Sequence, residues 1–251
     1  VIPIGPETIL SVFVIFCRIG GSLIIAPGFS SSQIPPRVRL FIALAVSLAL
    51  TPLLLDTVRP KIGDGSAATL LTLIFSELVT GLLIGFIARL FFMALETITV
   101  AVTQAIGLGA IPGTLSEDNE HVPSLTMLFT LTATTVMFIS GLHEELLRGL
   151  LDSYSTIPVG VGFGSRLALV NIADQINAAF LVALRIGSPF IVYSVVVNFA
   201  IGITNKLTPQ IPVFFIAVPF VMAGGLLLLL FTVQEFVAYF EAAFGAWLLR
   251  G

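Results

Sequence analysis

The stretch AATLLTLIFSELVTGLLIGFIARLFFMALETITVAVTQAI, residues 67–106, decides the fold class. Its 40 residues carry only three charges, Glu77, Arg89 and Glu96. A helix needs ~20 apolar residues to cross ~30 Å of hydrocarbon. This run is therefore too long for a simple span and predicts either one very long helix or two stacked pieces. Within it Gly81 and Gly85 form a small-xxx-small face, which lets helix backbones approach closely. Such a face supports assembly and names no function by itself.

The same character extends outward in both directions. Residues 9–26 form an apolar run closed by Pro27-Gly28, and residues 38–55 form a second, entered from Pro35-Pro36-Arg37 and left at Asp56. Together these two predict a helical hairpin. Beyond a glycine-rich polar stretch at 107–123, residues 124–142 make a fourth segment, followed by a mixed loop from His143 to Arg166. A fifth spans 170–204 and is interrupted by Pro189, which removes a backbone donor and predicts a kink or a break into two half-helices. The sixth, 211–233, leads into an amphipathic tail at 234–251 with Glu235, Glu241 and Trp247. About six apolar segments in one domain covering 1–251 predict an all-α membrane protein of long, kinked helical hairpins.

Composition agrees. The chain is 57% hydrophobic and 10% charged with a mean hydropathy of +1.10, against roughly 45–50% apolar and 25% charged in ordinary soluble domains. Its surface must meet lipid or partner subunits. A net charge of -3 with no Lys/Arg run excludes a nucleic-acid face. Cys17 is the only cysteine, so no internal disulfide forms and no Cys/His cluster can hold zinc. Counted on alternate sides of six spans, Arg37, Arg39 and Lys206 oppose Arg59, Lys61, Arg148, Arg166 and Arg250, too even a split for loop charge to set an orientation.

The charges inside apolar segments are the first candidates for function. Arg18, Arg89 and Arg185 each cost about 2.5 to 3.5 kcal/mol at mid-membrane unless something offsets them. Glu77, Glu96 and Asp174 are the available counter-ions, and the preferred reading is structural pairing between helices or subunits rather than a proton relay. The second candidate is Gly107-Leu108-Gly109-Ala110-Ile111-Pro112-Gly113, where glycine and proline predict non-helical backbone. At membrane depth such backbone is tolerated only when buried in protein or lining a cavity. It reads either as a surface loop or as the movable closure of a pore.

Enzyme motifs are weak. His143-Glu144-Glu145 begins like a metalloprotease helix, but Leu147 stands where the second histidine belongs. Gly160, Gly162 and Gly164 lack the Gly-Lys-Ser/Thr ending of a phosphate loop and read as a solvated loop. No catalytic residue, cofactor or metal is expected.

Taken together, the residues resemble the FliR/SctT family over nearly the entire chain. The resemblance rests on Arg18-Ile19-Gly20-Gly21, Ala26-Pro27-Gly28-Phe29, and Pro35 with Arg37 and Arg39, then Pro52. It continues with Glu77, Gly81 and Gly85, with Gly141 and His143, and with Ser153-Tyr154 and Pro158. It ends with Leu184-Arg185-Ile186, Pro189, Asn198, Gly202, Pro209-Gln210, Val213-Phe214, Pro219 and Gly224. The resemblance implies a non-enzymatic subunit of the type III export gate of flagella or injectisomes, multi-pass in the bacterial inner membrane. The partners it implies are FliP-like, FliQ-like, FlhB-like and FlhA-like subunits and unfolded export substrates. It also implies that the 107–120 stretch acts as a plug beneath the pore constriction. Ser116-Glu117-Asp118-Asn119 departs from the Asp-Pro pair that relatives often show there.

The rival reading is a secondary transporter or ion-coupled carrier, suggested by a broken helix at Pro189 near Arg185 and Asp174. Transporters of that kind show paired breaks in two related halves, and this sequence has one break and no repeat. An intramembrane enzyme is weaker still, since two distant histidines leave no nucleophile-base pair to assign.

Overall fold

Proline opens the first two helices, where its missing N–H has no intrahelical acceptor to lose. In a computed structural model, which describes residues 5–31, 34–62, 66–110, 114–115, 121–122, 124–161 and 165–248, α1 is Pro6–Ile25 and α2 is Pro36–Val58. Side chains at 110, 114–115, 121–122 and 165–171 are not described. Helix α1 stops where Pro27 cannot continue it and Gly28 turns to φ 79°. A 3-10 turn, Arg59–Lys61, extends α2.

Helix α3, Ala67–Ala105, is one uninterrupted helix of 39 residues. A 3-10 turn at Leu108–Ala110 follows, then two short strands, β1 (Thr114–Leu115) and β2 (His121–Val122), paired antiparallel. Helix α4 is Ser124–Ile139, and Gly141 at φ 78° separates it from α5, Leu142–Thr156. Helices α6 (Ser165–Leu207) and α7 (Val213–Leu248) complete the chain. Among the described residues five helices are long and apolar enough to cross a membrane, or six if α4 and α5 count as one broken span. The fold is all-α apart from the small ribbon, with the long apolar helices in hairpins.

Two sequence expectations are corrected here. The mixed loop after residue 142 is largely the helix α5. Its Leu146, Leu150, Ser153 and Tyr154 are buried while Glu144, Arg148, Gly149 and Asp152 lie on exposed or half-exposed positions. That is a helical period in a segment too polar to register as a span. The predicted break at Pro189 does not occur, because α6 runs through it. Proline removes the donor that would serve the carbonyl four residues back, and the Ser188 hydroxyl donates to that Arg185 carbonyl at 2.9 Å instead. Helix α7 continues from the sixth apolar run as far as Leu248.

Packing divides the fold into two units, Val1–Leu90 with His143–Ile176, and Phe91–Leu142 with Asn177–Arg250. The core of the first joins Val14, Ile15, Ile19 and Leu23 of α1 to Ala43, Leu54 and Val58 of α2, with Leu73, Leu150 and Tyr154. On α2 the buried positions Ala43, Ser47, Thr51, Leu54, Leu55 and Val58 follow one helical stripe. Ser47 and Thr51 donate to the carbonyls of Ala43 and Ser47, at 2.6 and 2.7 Å, so neither hydroxyl is left unsatisfied in that apolar seam.

The second unit is held by aromatic rings. Phe236, Phe240 and Phe244 recur every four residues on α7 and are buried with Phe91, Phe92 and Leu95 of α3 and Phe129, Ala133 and Met137 of α4. Phe92 meets Phe240 and Phe244 edge to face at 5.4 and 5.6 Å, and Phe91 lies 4.9 Å from Trp247. Such offset and edge contacts add about 0.5–1.5 kcal/mol per pair beyond burial. They explain why the amphipathic end of α7 is an ordered helix.

Candidate functional site

Arg18 and Glu77 lie fully buried in the first unit, the guanidinium gripping the carboxylate with two parallel bonds. Nε donates to Oε2 at 2.6 Å and Nη2 to Oε1 at 3.0 Å. The remaining guanidinium hydrogens are also used. Nη1 donates to the Ser153 carbonyl at 3.1 Å and to its hydroxyl at 3.3 Å, and Nη2 to the Ile157 carbonyl at 3.1 Å. A guanidinium has five N–H donors, and five bonds account for them. Glu77 accepts a further bond, 3.1 Å from the Gly160 N–H. The Tyr154 ring covers the guanidinium, with its centroid 4.1 Å from Cζ.

Glycine makes this geometry possible. A Cβ on Gly81 would overlap the Arg18 carbonyl, and one on Gly85 would overlap the Ser22 carbonyl. From the other side, a Cβ on Gly21 would press on the Leu78 carbonyl at 3.0 Å. The small-residue face on α3 thus lets α1 approach within backbone contact, which sets Arg18 opposite Glu77. Gly160 sits at φ 82°, a conformation that L side chains rarely adopt, and this turn aims its N–H at the carboxylate. One buried ion pair therefore ties together α1, α3, α5 and the turn after α5. It is a structural clamp with no open position for a substrate.

The other ionic residues singled out from sequence are placed differently. Arg89, Glu96, Asp174 and Arg185 are exposed on the chain itself. The helices that carry them turn those positions away from their own cores. Arg89 donates from Nη1 to the Ser30 hydroxyl at 3.1 Å, and Arg39 donates to the carbonyls of Ser30 and Ser31, so both pin the turn between α1 and α2. Arg185 donates to the Tyr239 hydroxyl at 3.1 Å. Sequence reasoning gave no role to Ser153, Tyr154, Gly160, Ser188 or Tyr239. These are contacts between distant segments, and no spacing rule announces them.

In the glycine-rich loop, Gly107, Leu108, Gly109 and Ala110 are described, whereas Ile111, Pro112 and Gly113 lie outside the described residues. Gly107 leaves α3 at φ 79°, and its amide donates to the Gln104 carbonyl at 3.0 Å. The base of the loop is anchored in the second unit. Ile106 is fully buried against Gly225 of α7, where a Cβ would overlap it. Alongside, Tyr193 of α6 donates to the Val221 carbonyl at 2.7 Å, and Leu108 packs on Val102, Ile106 and Phe190. Of the described backbone beyond this base, Leu108–Ala110 is a 3-10 turn and Thr114–Leu115 a strand.

Among the described residues no group of three or more His, Cys, Asp or Glu could hold a metal ion. A family model described as bacterial export proteins, family 1, matches residues 9–247. The chain belongs to this family. It is 28% identical over 222 residues to the flagellar biosynthetic protein FliR of Caulobacter vibrioides, covering 86% of this chain and 85% of that one. It is 26% identical over 233 residues to the protein of that name from Aquifex aeolicus, covering 89% and 85%. The Yop proteins translocation protein T of Yersinia pestis is 31% identical over 172 residues, covering 67% and 66%. With its long apolar helices the chain is a multi-pass membrane protein of an export family.

Proposed function

We propose that the chain is a wall and gate subunit of the type III protein export gate, in the bacterial inner membrane at the base of a flagellum or injectisome. In this reading it assembles with FliP-like and FliQ-like subunits and meets FlhB-like and FlhA-like proteins. Unfolded export substrates pass along the conduit it helps to build. The carrying observation is the family match from residue 9 to 247, with relatives named for flagellar biosynthesis and for protein translocation. Apolar faces left exposed on the chain also support it. On α6, Val192, Val195, Val196, Phe199 and Ile203 form one outward apolar stripe, the kind of face that marks a protein or membrane contact.

The loop at 107–113 is the closure in this reading. A polypeptide pore needs weak, sequence-tolerant contacts and a seal against ions at rest, and a glycine-rich loop with an anchored base supplies a movable seal. Ile106 in its notch at Gly225 is the fixed point, and the glycines beyond it are the hinge. Deleting 107–113 is expected to let small ions leak through cells assembling the gate. Unchanged permeability would remove the closure from this proposal. Extraction from membranes that hold the whole system is expected to bring FliP-like and FliQ-like subunits along, and a chain extracted from them alone would overturn the assembly. The carrier reading rested on a break at Pro189, and α6 has none.

A further inference from the structure

Two turns of α7 are its weakest. Pro219 supplies no N–H to the carbonyl of Phe215, and the pair Gly224-Gly225 follows within the next six residues. Long helices kink at proline and at pairs of small residues such as glycine, and glycine is the poorest helix former after proline. The helix nevertheless runs unbroken from Val213 to Leu248. Support for the weak segment comes from α6. The Tyr193 hydroxyl donates to the Val221 carbonyl at 2.7 Å. It reaches that carbonyl past Gly224, where a Cβ would stand 2.6 Å from the hydroxyl oxygen. A carbonyl has a second lone pair for such a donor, so the bond adds to the helical ladder without displacing a rung.

The same segment seats the base of the glycine-rich loop. Ile106 is fully buried against Gly225. Gly107 leaves α3 at φ 79° beside Met222 and Val221, and a Cβ there would lie 3.3 Å from Cγ of the first and 3.8 Å from Cγ1 of the second. Val102, Ile106, Leu108, Phe190 and Tyr193 belong to one apolar cluster. Residues 221–225 thus touch both Tyr193 and the start of the loop, and whatever holds them in place holds the loop's seat.

We propose that Tyr193 is the latch of the closure. Its bond to Val221 ties the bendable part of α7 to α6 and keeps the seat of Ile106 and Gly107 in its resting position. Opening bends α7 between Pro219 and Gly225 and breaks that bond. The inference rests on the reading of 107–113 as the closure and adds the side chain that sets its resting place. Tyr193 is a positioning residue, acting through the loop's seat. A single neutral hydrogen bond suits the task, because its net contribution is small enough to give way during passage, whereas the buried pair of Arg18 and Glu77 holds its helices permanently.

The test is sodium entry into cells that assemble the whole gate, followed with an intracellular dye at matched amounts of the chain in the membrane. Deletion of 107–113 supplies the open reference. Tyr193→Phe, which removes only the hydroxyl, is expected to raise entry several-fold over wild type and to stay below the deletion. Gly224→Ala pushes the hydroxyl off Val221 and is expected to do the same. The two together are expected to leak no more than Tyr193→Phe alone. The same bond is lost in both, and without its oxygen the ring leaves the methyl at an ordinary 3.4 Å from the ring carbons. Thr232→Val removes a hydroxyl-to-carbonyl bond from α7 about two turns beyond Gly225 and is expected to stay at the wild-type level. A deletion that leaks while Tyr193→Phe and Gly224→Ala do not would overturn the latch and leave the closure standing. A deletion that does not leak removes the closure, and the latch falls with it. Entry through Thr232→Val equal to that through Tyr193→Phe, or a double variant that leaks as the two singles added, would also overturn the latch. If Gly224→Ala fails to reach the membrane, Tyr193→Phe decides alone, and wild-type entry there is fatal.

Discussion

Replacing Glu77 with Gln tests the clamp with the smallest change of shape. The amide keeps one oxygen for Gly160 and Nη2 of Arg18. Its NH2 replaces Oε2, which accepts from Nε at 2.6 Å, so a donor then faces a donor. Arg18 is left charged with no exposure to water. Removing one member of a buried pair costs about 3–5 kcal/mol, because the other remains an uncompensated charge. That is two or more orders of magnitude in the ratio of folded to unfolded protein. The double variant Arg18→Met, Glu77→Leu removes both charges, which on general grounds is neutral or stabilising. Here it also strips the Ser153 and Ile157 carbonyls and the Gly160 N–H of their partners. Each buried orphan costs about 1–3 kcal/mol. The double variant is therefore expected to recover part of the loss and to remain roughly 2 kcal/mol below wild type. Reversible unfolding of the purified chain in mixed micelles, followed by far-ultraviolet circular dichroism, reads all three. Glu77→Gln within about 0.5 kcal/mol of wild type would refute the clamp, as would a double variant as unstable as the two single losses added together.

Four further outcomes follow from the packing. Gly81→Ala places a methyl group into the Arg18 carbonyl and is expected to cost about 1–3 kcal/mol by overpacking. Gly149→Ala on α5 meets nothing within 4 Å and should be neutral or gain up to about 1 kcal/mol in the same unfolding assay. Ser188→Ala removes the donor that serves the Arg185 carbonyl above Pro189, so a loss of about 1 kcal/mol is expected. Spin labels on either side of residue 189 should then report a broader distance distribution, and an unchanged one would show that the hydroxyl does not hold α6 continuous. Phe240→Ala empties a site between Phe92 and Phe244 and is expected to cost about 3–5 kcal/mol. Trp247, the only tryptophan, stacks on Phe244 and provides the readout as a red shift of its emission.

Much of the architecture is written in hydropathy and punctuation. Pro27-Gly28, Pro35-Pro36 and the charge-poor runs locate α1, α2 and α3 to within a few residues, because lipid-length apolar runs have few alternatives to helix. Helix α5 was not legible by that signal. Its stabilisation comes from one apolar face meeting the core, and a scan for greasy spans passes over a segment that alternates Leu with Glu and Arg. Pro189 misled for the opposite reason. A local rule about one missing donor gave way to a single hydroxyl one residue earlier, and whether that hydroxyl reaches the orphaned carbonyl is a matter of rotamer and packing.

The candidate site divides along the same line. Sequence alone determined that Arg18 and Glu77 needed partners, that Gly81 and Gly85 marked a close helix contact, and that the chain from Gly107 could not stay α-helical, since each follows from what one residue type costs in apolar surroundings. Only the tertiary structure decided that Arg18 pairs with Glu77 while Arg89 and Arg185 face outward, and that Ser153, Ile157 and Gly160 complete the clamp. Charges are chosen by residue type, but their partners are chosen by how helices distant in sequence cross. That crossing is a property of many contacts at once and is written in no single stretch of chain.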